Sequence, residues 1–218
     1  MNDFEITDLN KIHRLPKRGH YDRETIYGIL DATILCHVGF VQDGQPFVIP
    51  TNYARQGDTL FLHGATTSRL IRHVENGEPV CISVAILDGL VLAKSAFHHS
   101  VNYRSAVVFG RGRLVEDDAE KLRALELFTE RIVPGRWQEV RQPNRQELKA
   151  TAVVAIDIES ASAKMRGGPP SDDEDDLGLP VWAGVLPIQQ VTGDPVPADY
   201  SDSRLPISDA GLHVGTEP

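Results

Sequence analysis

Two arginines follow a run of hydroxyl side chains at the start of a predicted helix. Ser68 directly precedes Arg69, and Arg72 comes three residues later, so both guanidinium groups can reach one side of the helix. Free backbone N–H groups at a helix N-terminus attract anions, and arginine adds charge and paired donors. The pattern predicts a phosphate site. The alternative is an ordinary helix cap followed by solvated arginines.

An irregular strand precedes this helix in the sequence. Its four polar or ring-constrained residues are Pro50, Thr51, Asn52 and Tyr53. Proline cannot donate to a strand ladder and asparagine is a poor strand former, so this segment is predicted to be a sheet edge with free backbone groups. A ligand bound along that edge is one interpretation, and an irregular edge strand without a ligand is the other.

Histidine and tyrosine side chains supply further candidates. His63 ends a predicted strand just before the loop into the Ser68 helix, so we expect it near the bound ligand, although a purely structural histidine is the alternative. In a later strand, Tyr103 and Ser105 share one face and Arg104 lies on the other. Adjacent histidines on a strand, such as those at 98–99, point to opposite faces, which argues against a metal site.

The elements that must position these residues are mostly strands. The predicted strands are Thr33–Val41, Phe47–Arg55, Thr59–His63, Val80–Leu87, Leu90–Phe97, Tyr103–Val115 and Thr151–Glu159. The predicted helices are Arg23–Leu30, Arg69–Glu75 and one that begins at Asp117 or Asp118 and ends near Val133. Asp43–Gly44 and Asp88–Gly89 are predicted hairpin turns. This order predicts a mainly β fold, an antiparallel barrel with flanking helices. A doubly wound α/β fold is the alternative.

Composition narrows the class of protein. The 218 residues carry a net charge of −9, which argues against a nucleic-acid partner. No apolar run approaches the ~20 residues needed to cross a bilayer, and the charged N-terminus does not resemble a secretory signal, so we expect a cytoplasmic protein without a membrane partner. Cys36 and Cys81 lie in apolar strands and are expected to be free thiols.

The chain divides into two parts that differ in amino-acid composition. Residues 1–165 are predicted to form one domain. Residues 166–218 contain more than half of the 14 prolines and the acidic run Ser171–Asp176, which is expected to be a solvated loop. They are predicted to form an extended arm that packs on the barrel or on a dimer partner, with Trp182 as a candidate anchor.

Taken in order, these segments resemble the FMN-binding split β-barrel proteins related to pyridoxamine 5′-phosphate oxidase, in particular the branch of the nitroimidazole-resistance proteins. The resemblance extends over about residues 18–197. The matching segments are Pro-Thr-Asn-Tyr at 50–53, Leu-His-Gly-Ala at 62–65, Ser-Arg-Leu-Ile-Arg at 68–72, the stretch at 102–111 and Trp-Ala-Gly-Val-Leu-Pro at 182–187.

The resemblance implies a homodimer that binds FMN in the groove between two barrels. The flavin ring would lie along the 50–53 edge near His63, and Ser68, Arg69 and Arg72 would hold the phosphate. Tyr103 and Ser105 would add contacts, and Arg104 would reach the phosphate or serve the dimer. The implied activity is reduction of nitro-aromatic or similar small electrophiles. The chain lacks the substrate-phosphate arginines and C-terminal ending of true pyridoxamine 5′-phosphate oxidases, which argues against that reaction.

Two alternatives to a flavin-dependent enzyme follow from the same resemblance. One is a flavin-binding carrier or sensor that does not turn over. The other is a haem-utilisation protein, because some split barrels bind haem in place of flavin.

Overall fold

A computed structural model describes residues 3–201 of the chain. The strands are β1 Gly19–His20, β2 Leu35–Gln42, β3 Gln45–Asn52, β4 Ala54–Gln56, β5 Thr59–Ala65, β6 Val80–Leu92, β7 Ser100–Gly110, β8 Gly112–Leu114, β9 Thr151–Asp157, β10 Ser160–Arg166 and β11 Gly184–Pro187. The helices are α1 Arg23–Asp31, α2 Arg69–Glu75, α3 Asp118–Ile132, α4 Arg136–Glu139 and α5 Arg145–Ala150. Short 3-10 turns cover Pro16–Arg18, Ala96–His98 and Glu174–Asp176.

The strands form two antiparallel sheets. The large sheet has the order β1-β10-β7-β6-β2-β3, with β11 added to the far half of β6, and the small sheet has the order β4-β5-β9-β8. The chain crosses from one sheet to the other between β3 and β4, between β5 and β6, between β7 and β8, and between β9 and β10. The main core lies between the sheets and includes Ile26, Leu62, Val74 and Ile82. The predicted split barrel with flanking helices is confirmed.

Glycine permits the close approach of two of these crossings. A Cβ atom on Gly110, at the end of β7, would lie 2.0 Å from the carbonyl oxygen of Asp157 at the end of β9. On Gly112 it would lie 2.8 Å from the oxygen of Ala155. Both positions lack room for a side chain, so glycine allows the backbones to approach this closely.

Local turn chemistry explains several boundaries. The Asp22 carboxylate accepts a 2.8 Å hydrogen bond from the Thr25 N–H and caps α1. Asp43 and Gly44 both have positive φ, 53° and 76°, as a two-residue type I′ hairpin turn requires. β3 lies at the edge of the large sheet, as its proline and asparagine predicted.

The predicted hairpin at Asp88–Gly89 is wrong. β6 continues through these residues as one strand with a bulge between Leu87 and Gly89. Two long-range contacts favour the bulge: the Asp88 carboxylate binds the Arg104 guanidinium, and β11 packs so closely that a Cβ on Gly89 would lie 3.0 Å from the Leu186 carbonyl oxygen. Strands β1, β10 and β11 and helices α4 and α5 were not predicted.

Both cysteines are free, Cys36 buried and Cys81 half-buried, as expected. Burial raises the pKa of the Cys36 thiol to about 12, so it stays protonated. Among residues 3–201, no helix is both long and apolar enough to cross a membrane.

Candidate functional site

The predicted site residues border two separate clefts. A polar cleft of about 650 Å³ is lined by Val41, Gln42, Asp43, Thr67, Arg69, Arg72, His73, Asn76 and Glu78. An apolar cleft of about 370 Å³ is lined by Asn52, His63, Leu125, Phe128, Thr129, Ile132, Trp137, Pro143, Glu147 and Thr151. The arginines at the start of α2 therefore lie in one cleft, and His63 and Asn52 in the other.

Two arginines without acidic partners characterise the polar cleft. Within residues 3–201, neither Arg69 nor Arg72 forms an ion pair, although Asp43 and Glu78 line the same cleft. The Arg69 guanidinium lies 4.2 Å from the centre of the Phe47 ring, a cation–π contact that limits its rotamers. Two exposed guanidinium groups one turn apart can bind an anionic ligand with several oxygens.

Ser68 is the N-cap residue of α2, and its backbone is extended there. Its side chain makes no capping hydrogen bond to the helix. The hydroxyl therefore remains a possible donor to an anion held by the neighbouring arginines.

Elements from both sheets and three helices build the apolar cleft. His63 comes from β5 in the small sheet and Asn52 from the end of β3 in the large sheet. α3 contributes the buried Phe128, and α4 contributes Trp137, whose side chain is also buried. These aromatic rings give the cleft apolar walls, and Asn52, Thr129, Glu147 and Thr151 add polar side chains to the lining.

His63 is the only titratable side chain of this cleft besides Glu147, and its ring lies against Phe128. The ring centroids are 4.4 Å apart in an edge-to-face arrangement. The Nδ1 atom is buried and has no hydrogen-bond partner in the described part of the chain. Burial lowers the pKa of His63, so the neutral imidazole prevails at neutral pH. A neutral imidazole is the form that binds a metal.

Three predicted residues have partners elsewhere in the fold. Tyr53 is buried, and its hydroxyl donates to the Leu30 carbonyl oxygen, so that side chain belongs to the core. Arg104 pairs with the Asp88 carboxylate through Nε at 3.0 Å and Nη2 at 2.8 Å, and this raises its pKa. The Ser105 hydroxyl donates to the Lys164 carbonyl oxygen at 3.0 Å.

The register of the large sheet brings three candidates, Pro50, Tyr103 and Ser105, onto one face. Tyr103 is paired with Leu87 and Ser105 with Ala85, whereas Pro50 is paired with His37, and all of these point to the side opposite the main core. Thr51, between Pro50 and Asn52 on the edge strand, is half-buried. Contact of these residues with a flavin stays a prediction.

The apolar walls of the His63 cleft were missed by the sequence-based prediction. The helical spacing of Leu125, Phe128 and Ile132 predicts that they share a face of α3. That spacing does not indicate that His63 lies opposite this face, because α3 and β5 are far apart in the sequence. Trp137 follows a Pro-Gly pair beyond the predicted helix, and no local signal marked it.

The lowered pKa of His63 predicts a pH-dependent stability. Because the unfolded chain binds this proton more strongly, the contribution of neutral His63 is complete above its unfolded pKa of about 6.5 and decreases as the pH falls towards the folded value. In urea titrations, wild type should lose more free energy of unfolding than His63→Gln on acidification through that range. His13→Gln, at an exposed position, is the control, and equal losses in wild type and His63→Gln would contradict the prediction.

Comparison with known proteins gives consistent matches. The family model described as pyridoxamine 5′-phosphate oxidase matches residues 22–165. The structure of the flavocytochrome Anf3 from Azotobacter vinelandii is 40% identical, with a TM-score of 0.87, and the match covers 94% of this chain and 96% of that chain. The FAD and haem binding protein from Mycobacterium smegmatis is 36% identical, with a TM-score of 0.84 and coverage of 88% and 95%.

A third structure supports the fold alone. The putative 5-nitroimidazole antibiotic resistance protein from Bacteroides thetaiotaomicron is 23% identical, with a TM-score of 0.56, and the match covers 67% of this chain and 85% of that chain. No curated protein sequence matches the chain. The family model covers more than half of the chain, and the first two structures match nearly all of it, so the family resemblance noted from the sequence is confirmed. The chain belongs to the pyridoxamine 5′-phosphate oxidase family.

Proposed function

We propose that this protein is an oxidoreductase that binds a flavin in the polar cleft and haem in the apolar cleft. The observation that carries the proposal is His63, a neutral, unpartnered imidazole at the wall of an aromatic-lined cleft. Two similar proteins, at 40% and 36% identity, are named as a flavocytochrome and as an FAD and haem binding protein, which supports the same pair of cofactors here.

The arginines of the polar cleft suit the phosphate groups of a flavin nucleotide. Arg69 and Arg72 lack acidic partners in the described chain and can each donate two hydrogen bonds to phosphate oxygens. Thr67 and Ser68 add hydroxyl groups at the same helix start. The sequence predicted FMN. We favour FAD, because the cleft offers two guanidinium groups for two phosphates and the Mycobacterium smegmatis protein is named for FAD.

The residues of the apolar cleft fit haem. His63 can supply one ring nitrogen to the iron, because burial keeps the imidazole neutral and leaves Nδ1 without a partner. Phe128 and Trp137 exclude water from the macrocycle, while Asn52 and Thr151 can donate to its carboxylates. Bound haem would supply one-electron transfer to a small oxidant. Nitro-aromatic compounds are among the small electron acceptors to be tested.

A homodimer is part of the proposal. The face of the large sheet opposite the main core, here called the outer face, carries exposed apolar side chains at Leu35, Val48, Leu87, Leu90, Val101 and Leu186. Leu90 is paired in register with Val101 on one side and Leu186 on the other. A sheet face with this many exposed apolar side chains is typical of a protein interface. Asn52 is paired with Leu35, so the apolar cleft lies beside the outer face.

A double substitution on the outer face should separate the dimer. We expect Val48→Asp with Leu90→Asp to give a monomer in sedimentation velocity at concentrations where wild type is dimeric, because two buried unpaired carboxylates per subunit would oppose association. Leu9→Asp, also at an exposed leucine, is the control and should remain dimeric. A wild-type monomer, or a dimeric double variant, would contradict the proposed interface.

An absorbance spectrum tests the proposed cofactors directly. The full-length chain is expressed with added riboflavin and a haem precursor, purified, and examined for the two visible flavin bands and the intense Soret band. Chromatography of the released nucleotide distinguishes FAD from FMN. A protein that shows the flavin bands but no Soret band, even after hemin is added, would contradict the proposal that it binds haem. Reduction by NAD(P)H with repeated reoxidation by a small acceptor separates an enzyme from a carrier.

A further inference from the structure

A short segment beyond α3 covers one side of the apolar cleft. This segment, residues 134–142, is called the flap. Trp137 is the only buried side chain within the flap, at 8% exposure, and all of its neighbours from 134 to 136 are exposed. The flap also pairs with α5 through Arg141 and Glu147 at 2.7 Å, but that ion pair is exposed, so the buried contact of the flap is the one indole that lines the cleft. The position of that indole decides whether the cleft is closed on this side.

One carboxylate on α3 holds the flap in place. The Glu130 Oε2 atom accepts a 2.6 Å hydrogen bond from the Gly135 N–H, and Oε1 accepts a 2.8 Å bond from the Trp137 N–H. Gly135 is the N-cap of α4 with a φ of 84°, and it has no side chain to cap that helix. Glu130 therefore replaces the missing cap from a distance. It binds two donors that would otherwise lose a protein partner.

The other polar contacts of the flap do not fix the indole in this way. Arg136 pairs with Glu139 across an exposed turn at 2.8 Å, within the flap itself. Gln142 Nε2 donates to the Trp137 carbonyl oxygen at 3.1 Å and also stays within the flap. Within residues 3–201, the two Glu130 bonds are the side-chain contacts that join the backbone of the indole-bearing turn to α3, which carries Phe128. The Arg136 N–H also donates to the carbonyl oxygen of Val133, the C-cap residue of α3, at 3.1 Å, but this bond does not reach the Trp137 backbone.

We propose that Glu130 is a positioning residue that holds Trp137 as the removable wall of the apolar cleft and so sets how long a bound ligand stays. The ligand class, a flat apolar macrocycle with peripheral carboxylates, rests on the proposed function. With Glu130 intact, the indole closes the cleft beside Phe128. Without it, the turn loses both anchors and the indole leaves the wall more often, which opens a path for the ligand.

Two measurements on the full-length chain test this inference. The chain has two tryptophans, so Trp182→Phe leaves Trp137 as the only indole reporter. Before hemin is added, acrylamide quenching measures the exposure of Trp137. After loading, transfer of hemin to excess apomyoglobin measures its dissociation rate. The variants are Glu130→Ala, Glu130→Gln and the control Glu139→Gln, which changes a flap carboxylate that does not bind the Trp137 backbone.

We expect Glu130→Ala to increase both acrylamide quenching and the hemin dissociation rate, the latter by about 3- to 30-fold, the range of losing a helix cap. Glu130→Gln should give an intermediate result, because its amide oxygen can still accept one of the two N–H groups, and Glu139→Gln should match the parent. Unchanged quenching and dissociation in Glu130→Ala, even with a lower melting temperature, would overturn the inference. If the parent protein binds no hemin, the proposed haem site and the proposed effect of Glu130 on ligand dissociation are both wrong. The quenching data still decide whether Glu130 positions Trp137.

Discussion

Replacing Arg69 and Arg72 together with alanine should weaken flavin binding by about 100- to 1,000-fold. A hydrogen bond to a charged group contributes about 1.5–3 kcal/mol, or roughly 10- to 100-fold in affinity for each arginine. The full product is not expected, because groups that share one ligand are seldom additive. Both guanidinium groups are exposed at the polar cleft, so the fold should tolerate the change.

Titration of the flavin-free protein with FAD, followed by flavin fluorescence, measures this affinity. The matched control is Arg123→Ala, which removes an exposed arginine on α3 outside both clefts. Arg69→Lys adds a further test, since lysine keeps the charge but cannot form the paired hydrogen bonds of a guanidinium group. Unchanged affinity in the double alanine variant would show that the flavin phosphates bind elsewhere.

His63→Ala should reduce haem affinity by at least roughly 100-fold and leave flavin binding intact. Even the loss of a group that only orients a metal ligand costs about 10- to 100-fold, and here the ligand itself is removed. The expected readout is loss of the Soret band from the purified variant, with the flavin bands retained. Added imidazole should restore part of the Soret band, because it can occupy the space that the side chain leaves.

His73→Ala is the matched control for this experiment. His73 is buried beside the polar cleft. Its ring packs on Phe40 with centroids 4.5 Å apart, and its Nε2 lies 3.2 Å from the Pro79 carbonyl oxygen. It should keep its haem. The reverse outcome, with haem lost from the His73 variant and kept by the His63 variant, would place haem in the polar cleft and overturn the assignment of both clefts.

Local chemistry in the sequence predicted a good part of this fold. The start of α1 at Arg23, the positive-φ turn at Asp43 and Gly44, and the edge position of β3 each depend on residues that are neighbours in the sequence. The helix that carries Arg69 and Arg72 was predicted for the same reason. For these features, the residue types alone restrict the backbone conformation.

Long-range contacts explain why the other sequence-based predictions were wrong or missing. Asp88 and Gly89 have the composition of a hairpin turn, but an ion pair to Arg104 and the packing of β11 keep β6 continuous. The apolar cleft is likewise assembled from distant segments, since His63 meets Phe128 only after the two sheets and α3 have packed. A single sequence contains no local signal for which of several apolar helix faces will lie opposite a given histidine.

The contact at Gly110 has a consequence for how cofactor sites can diversify on this scaffold. Backbone hydrogen bonds of 3.1 Å join the two crossings there, from the Asp157 N–H to the Arg111 carbonyl oxygen and from the Glu159 N–H to the Phe109 carbonyl oxygen, so the sheets cannot move apart at this point without losing these bonds. Variation in ligand size must then come from the helical layer formed by α3, α4 and α5. Insertions and substitutions between residues 118 and 150 can reshape that layer while the sheets stay the same, which makes it the natural target for engineering a different ligand.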